Sequence, residues 1–361
     1  MKLSRRALLI GGGSLAASSS LANPDAALKR VLGIGEPPPE KDENFAGMTK
    51  ESEESVIRGT EFLMQTRHND GGYGMDIGLR PDYGCTALVG LSLLAQGNTA
   101  RGGPKMEEVR KITSFLAQAV EKGDVTRTTG TQIQGKIGHY AHSFFVLLYL
   151  SQILGECPDP APVLKGVTKL ANTVTRAQSV NGDWGGPAWA PILGTVTGWV
   201  SLLGAKDAGM EVKASAKKTA EFLIKTMRSK LSQPQRNNWM HTLYKNASGI
   251  RVLYAMDMED EDIAKKAWKD LLLAVTSDNT AFAKAGGEEY LAFHLVTETM
   301  LKRGGRDWLM WFPNLRDKII DVQNRDGSWT GRHCITSRTF CTAAATLVLS
   351  APNRYLPMSQ P

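Results

Sequence analysis

The chain has 361 residues, 42% of them hydrophobic and 22% charged, with a formal net charge of +7 and four cysteines. Lys2, Arg5 and Arg6 supply three of those charges, leaving +4, and no Lys/Arg run is interleaved with aromatics, so the sequence excludes nucleic acid as a partner. Four cysteines are too few for a disulfide scaffold, and no apolar run approaches the roughly 20 residues that span a bilayer.

In chain order, Ser4-Arg5-Arg6 precedes a short Gly-rich apolar run, and Ser20-Leu21-Ala22 offers small residues for cleavage. Residues 1–22 therefore read as a signal peptide of twin-arginine type, and the expected location is periplasmic or extracellular. Residues 23–48 contain Pro37-Pro38-Pro39 and few large apolar side chains, the composition of a flexible linker. Residues 49–357 remain as one large domain.

That domain repeats itself. Gln65 to Tyr73 reads QTRHNDGGY, Gln178 to Trp184 reads QSVNGDW, and Gln323 to Trp329 reads QNRDGSW. Each copy ends a helix-like run with Asn, Asp and Gly, then an aromatic, then an apolar segment. Weaker copies near Gln118, Lys225 and Thr276 give six units with a mean spacing of about 52 residues. Every unit pairs an amphipathic segment, such as Glu53 to Gln65, with one that is apolar nearly all round. Thr86 to Gln96, Ser143 to Leu154, Thr195 to Ala205 and Thr342 to Ser350 are of the second kind. Strand-like alternation is missing. The final apolar helix is as apolar as the internal ones, whereas an open solenoid needs a polar cap there. The expected fold is all-α, with six αα-hairpins closed into an alpha/alpha toroid.

With Gln65/Gly72/Tyr73, Gln178/Gly182/Trp184 and Gln323/Gly327/Trp329 in place, the chain resembles the squalene cyclase and protein prenyltransferase superfamily. A Gln–Gly–Trp (QW) repeat joins outer to inner helices in that family. The resemblance covers about residues 50 to 357 and is nearest to bacterial single-barrel prenyltransferase/squalene oxidase repeat proteins. It implies that Gln65, Tyr73, Gln178, Trp184, Gln323 and Trp329 are structural joints, since Gly and Asn/Asp suit the turn and the amide can satisfy backbone groups at helix ends.

In such a ring the inner helices all begin at one mouth, and the site candidates are the residues at those starts. Asp82, His142 and His333 are the candidate catalytic groups. Tyr83, Tyr140, Trp189, Trp239, His241, Tyr244, Glu288 and Arg338 are the candidate ligand-cavity residues, with His139 and Glu289 beside them. Only Asp82 survives of the acid cluster that cyclases use. Asp82, Cys85, His333 and Cys334 are zinc-ligand types, as in the prenyltransferases, but without a paired ligand spacing; no cofactor is assigned. Ring closure would also bring Cys85 to Cys334 or Cys341 for a disulfide. The Gly-Cys-Gly-Glu-Gln of thioester toroids is absent. The sequence thus supports an exported ring that binds or acts on an apolar, isoprenoid-like ligand at its cavity mouth. A non-catalytic scaffold for a protein or glycan, and a carbohydrate-active enzyme built on Glu288-Glu289, remain alternatives.

Overall fold

A computed structural model describes residues 46–232, 239–277 and 284–359. The signal peptide and nearly all of the linker lie outside the described residues.

Thirteen α-helices are present among the described residues, and no strand beyond two isolated bridges. Six form an outer layer: α1 Lys50–Gln65, α3 Met106–Lys122, α6 Ala161–Ala177, α8 Lys213–Arg228, α10 Asp262–Thr276 and α12 Gly305–Asp321. Six form an inner layer: α2 Tyr83–Ala95, α5 Ala141–Ile153, α7 Pro191–Asp207, α9 Trp239–Ala255, α11 Gly287–Arg303 and α13 Arg338–Ser350. The short α4, Gln132–Ile137, is inserted before α5. The two layers differ as their sequences require. Outer α6 buries Val163, Val167, Leu170 and Val174 along one stripe, whereas every residue of inner α5 is buried.

The inner helices pack in chain order, and α13 packs back on α2 to close the ring. At that seam Ser92 and Thr346 share a hydrogen bond of 2.7 Å between α2 and α13, and Gln323 Nε2 donates to Ser55 O at 2.9 Å. No described helix is long and apolar enough to cross a membrane.

The repeated text is the joint between layers. Gln178 donates to Ser215 O (3.0 Å) and Thr219 Oγ1 (2.6 Å), reaching the next outer helix, and Gln323 does the same across the seam to α1. Trp184 and Trp329 each donate Nε1 to a carbonyl ten residues earlier, at 2.8 Å. The first copy departs from its expected register. Gln65 is exposed, and the residue in the place of Gln178 and Gln323 is Arg67, which pairs with Glu108 of the next outer helix. The turn glycine is accordingly Gly71 rather than Gly72. Gly71, Gly182 and Gly327 all have φ between 85° and 101°. A Cβ at any of the three would lie within 2.5 Å of a carbonyl oxygen of the neighbouring outer helix. Only glycine supplies both the left-handed turn and that close approach.

Candidate functional site

The loops before the inner helices gather at one end of the ring, the mouth. Residues 331–337 roof it. Arg332 N–H donates to Ala285 O (3.0 Å), Thr336 N–H to Gln132 Oε1 (3.0 Å) and Ser337 Oγ to Met75 O (2.6 Å). One short segment is thereby tied to three elements.

Two carboxylate sites lie under the mouth. In the first, Asp82 is the N-cap of α2, with Oδ1 accepting from Cys85 N–H at 2.9 Å. Its Oδ2 lies 3.1 Å from His142 Nε2, and that nitrogen is also 3.1 Å from Thr131 Oγ1. Both residues are buried. Burial pushes the Asp82 carboxyl up, but the His142 hydrogen bond and charge and the Cys85 and Gly84 N–H groups outweigh it, so the group is held below its ordinary value. Tyr83 covers His142 edge-on at 6.0 Å. The structure therefore unites two of the three candidate catalytic residues. The third, His333, stands apart from them, 3.6 Å from Glu289.

The second site is built on the first turn of α11. Glu288 Oε2 accepts from Ile335 N–H at 3.0 Å, and Glu289 Oε2 accepts from Gly286 N–H at 2.6 Å while its other oxygen takes the Tyr244 hydroxyl. Both side chains are 0% exposed, and Glu288 Oε1 has no partner. Here burial wins: it raises each carboxyl to about 7, against the hydrogen bonds each one accepts. Over this pair the rim carries His333, Cys334, His241 and Trp189. His241 lies 5.0 Å from Trp189 and 6.1 Å from the Tyr244 ring. Lys136 Nζ sits 5.6 Å from the Trp189 ring centre. Burial and the Glu288 charge push the Cys334 thiol up to about 11.

Several expected groupings are not formed. Asp82, Cys85, His333 and Cys334 do not converge, and no group of three metal-ligating side chains occurs among the described residues. Asp82 is committed to His142, Cys85 to Ser337 at 3.7 Å, and His333 to Glu289. The cysteine staple is also absent, no disulfide joining Cys85 to Cys334 or Cys341. Cys341 donates to Ile335 O at 3.6 Å, and helix packing and the seam hydrogen bonds close the ring instead. Arg338 is no cavity residue. It pairs with Asp326 and Asp76 and lies 4.4 Å from the Phe62 ring centre, bracing the last joint.

The remaining aromatics spread over the mouth rather than lining one chamber. Trp189 and Trp239 are 38% and 43% exposed, and Tyr244 is fully buried. Tyr140 and His139 line a surface groove of about 100 Å³ with Asp183, Gly185 and Gly186. The ring's centre is filled by inner-helix side chains, leaving a void of about 30 Å³. Thr131, Lys136 and Gly286 also belong to the mouth and were not among the candidates. The one signal for Thr131 is local, an N-cap threonine before the short α4.

No protein-family model and no curated protein sequence matches the chain. Solved structures do match in shape. The GH76A alpha-1,6-mannanase from Salegentibacter sp. HEL1_6 has a TM-score of 0.56 at 11% identity, covering 84% of this chain and 99% of that one. The type II terpene cyclase MstE from Scytonema has a TM-score of 0.48 at 11% identity, covering 85% and 100%. At 11% identity the likeness to the mannanase shows a shared fold, the alpha/alpha toroid, and no more.

Proposed function

We propose that this chain acts at the mouth of its ring on a polar, glycan-type ligand, with Glu288 and Glu289 as an acid–base centre. The observation that carries this reading is the pair of adjacent buried carboxylates, each raised to about 7, beneath an aromatic rim. A carboxyl raised into this range is partly protonated at neutral pH, so that it can serve as an acid or as a base. Tyr244 and His333 extend the pair, the latter toward the surface. Trp189 and His241 offer the ligand a partly exposed ring platform with polar edges. An isoprenoid in the ring's centre is disfavoured, because small-molecule pockets run to about 300 Å³ or more and the void is about 30 Å³. The reading takes the chain to be exported, on the strength of Arg5-Arg6 and Ser20-Leu21-Ala22.

One observation favours a non-catalytic scaffold: both carboxylates also latch backbone N–H groups, at Gly286 and Ile335, as structural residues would. Incubation with a panel of polysaccharides separates the readings, beginning with α-1,6-linked mannan, the substrate class in the fold neighbour's name. Release of new reducing ends that falls by about a hundredfold or more in Glu289→Gln supports the acid–base centre. Binding without release would leave the scaffold, and neither binding nor release with any member of the panel would sink the glycan reading.

A further inference from the structure

The positive charge of the outer layer is gathered on one flank. α6 carries Lys165, Lys169 and Arg176 and no acid, and α8 carries Lys213, Lys217, Lys218, Lys225 and Arg228 against Glu221 alone. By contrast, α3 and α12 hold bases and acids in equal number, and α1 has an excess of acids. α6 and α8 are neighbours. Gln178, just past α6, reaches Ser215 and Thr219 of α8, and Thr168 Oγ1 of α6 lies 3.5 Å from Met210 Sδ, just before α8.

Cations elsewhere on the outer layer are neutralised locally, as Arg110 is by Glu107 and Arg316 by Asp317. At the edges of the basic flank Lys165 pairs with Glu121 and Arg228 with Glu261. Between them Arg176, Lys213, Lys218 and Lys225 are exposed and form no ion pair among the described residues. Lys213 also opens α8, where a cation opposes the helix dipole. Repulsion accumulated in this way is relieved by a polyanion from outside. Lys213, Lys217, Lys218 and Lys225 share the exposed face of α8, and at the helical rise Lys213 to Lys225 covers about 18 Å. A linear polymer with an acid on successive units matches such a row better than a small anion does. Neither α6 nor α8 exposes a large hydrophobic side chain, so the flank offers no wedge for a bilayer and no ring on which bases could stack. It offers instead Thr168 and Asn172, exposed among the cations of α6, as hydrogen-bonding groups for hydroxyls.

We propose that the α6–α8 flank is a docking surface for a linear polysaccharide bearing carboxylates, held by Arg176, Lys213, Lys218 and Lys225. This surface is separate from the mouth, and the proposal stands whether or not the mouth is catalytic. Calorimetric titration of the full chain with polygalacturonate, with neutral dextran and with phosphatidylglycerol vesicles tests it at low ionic strength. Polygalacturonate binds and dextran does not, and added salt weakens the binding severalfold. Replacing Lys213, Lys218 and Lys225 together by Gln weakens polygalacturonate by about tenfold or more. The control replaces Lys50, Lys111 and Arg306 by Gln, which lowers the net charge equally on the other outer helices and leaves the affinity within about twofold. All six side chains are exposed, and matching melting curves show that both rings are intact; if the first variant fails to fold, the salt dependence and the dextran comparison carry the test. Equal weakening in both triple variants, dextran binding as tightly as polygalacturonate, vesicles binding more tightly than polygalacturonate, or no polygalacturonate binding at low salt would each overturn the proposal.

Discussion

Asp82 and the Glu288–Glu289 pair occupy like places, at the starts of inner helices under one mouth, yet their acidities move in opposite directions. Helix position does not explain this, because each site has N-terminal N–H groups pointing at a carboxylate. Partners do. Asp82 faces a buried imidazole at 3.1 Å, whereas Glu288 faces another carboxyl and Glu289 takes a phenol, with the partly exposed His333 imidazole farther off at 3.6 Å. In a dry site the sign of the nearest charge decides whether burial prevails. One mouth thus holds a fixed negative charge and a labile proton.

The largest effect is expected from breaking the first site. Asp82→Ala removes the α2 cap and leaves His142 buried with Thr131 as its one partner, a loss of about 3 kcal/mol. Asp82→Asn keeps the cap and costs about half as much, and urea unfolding of the two variants measures the difference. Equal losses would mean that the charged pairing with His142 alone matters and that the cap contributes nothing.

A smaller effect of opposite pH dependence is expected at the second site. The Glu288 and Glu289 values are raised on folding, so the native state binds more protons than the unfolded chain between about pH 4.5 and 7. Stability from this pair is full below that window, falls as pH rises through it, and is level above. Glu288→Gln removes the Glu288 share, flattening the melting-temperature profile between pH 5 and 8. Asp82 contributes in the other sense: its lowered value gives stability that is present above the unfolded carboxylate range and lost as pH falls through the folded value. A Glu288→Gln profile as steep as the native one would show that Glu288 ionises as freely as in water.

The ring was legible in the sequence because its cause is periodic. Gly182 and Gly327 must be glycine, Trp184 and Trp329 must fill the hairpin, and the apolar inner helices must be buried on all sides. Aligning the first copy on Gln65 failed for a physical reason. The joint needs a donor that reaches the next outer helix, which Arg67 supplies as well as glutamine does, while the aromatic and the left-handed glycine fix the register. The Asp82–His142 pairing was legible only as two residues at one mouth. Roof contacts such as Ile335 on Glu288 were not, since they join residues 47 apart that no pattern links. Arg338 misled because its position at a helix start says nothing of which way the side chain turns.

The smallest effect offers the most local reading of the contrast. Cys334 is the one cysteine that is not fully covered, and its thiol is pushed up to about 11 by burial and then by the Glu288 charge. It is therefore a reporter of whether Glu288 is ionised. Glu288→Gln removes a negative charge beside the sulfur, lowers the thiol's value and raises the alkylation rate at pH 8.5 by about two- to fivefold. Iodoacetamide labelling with peptide mass mapping measures this, with buried Cys85, Cys157 and Cys341 as internal controls. Asp82→Asn, acting at the other carboxylate site, leaves the Cys334 rate unchanged. A change of equal size in both variants would mean that the roof had loosened as a whole, and the two sites would then no longer be electrostatically distinct.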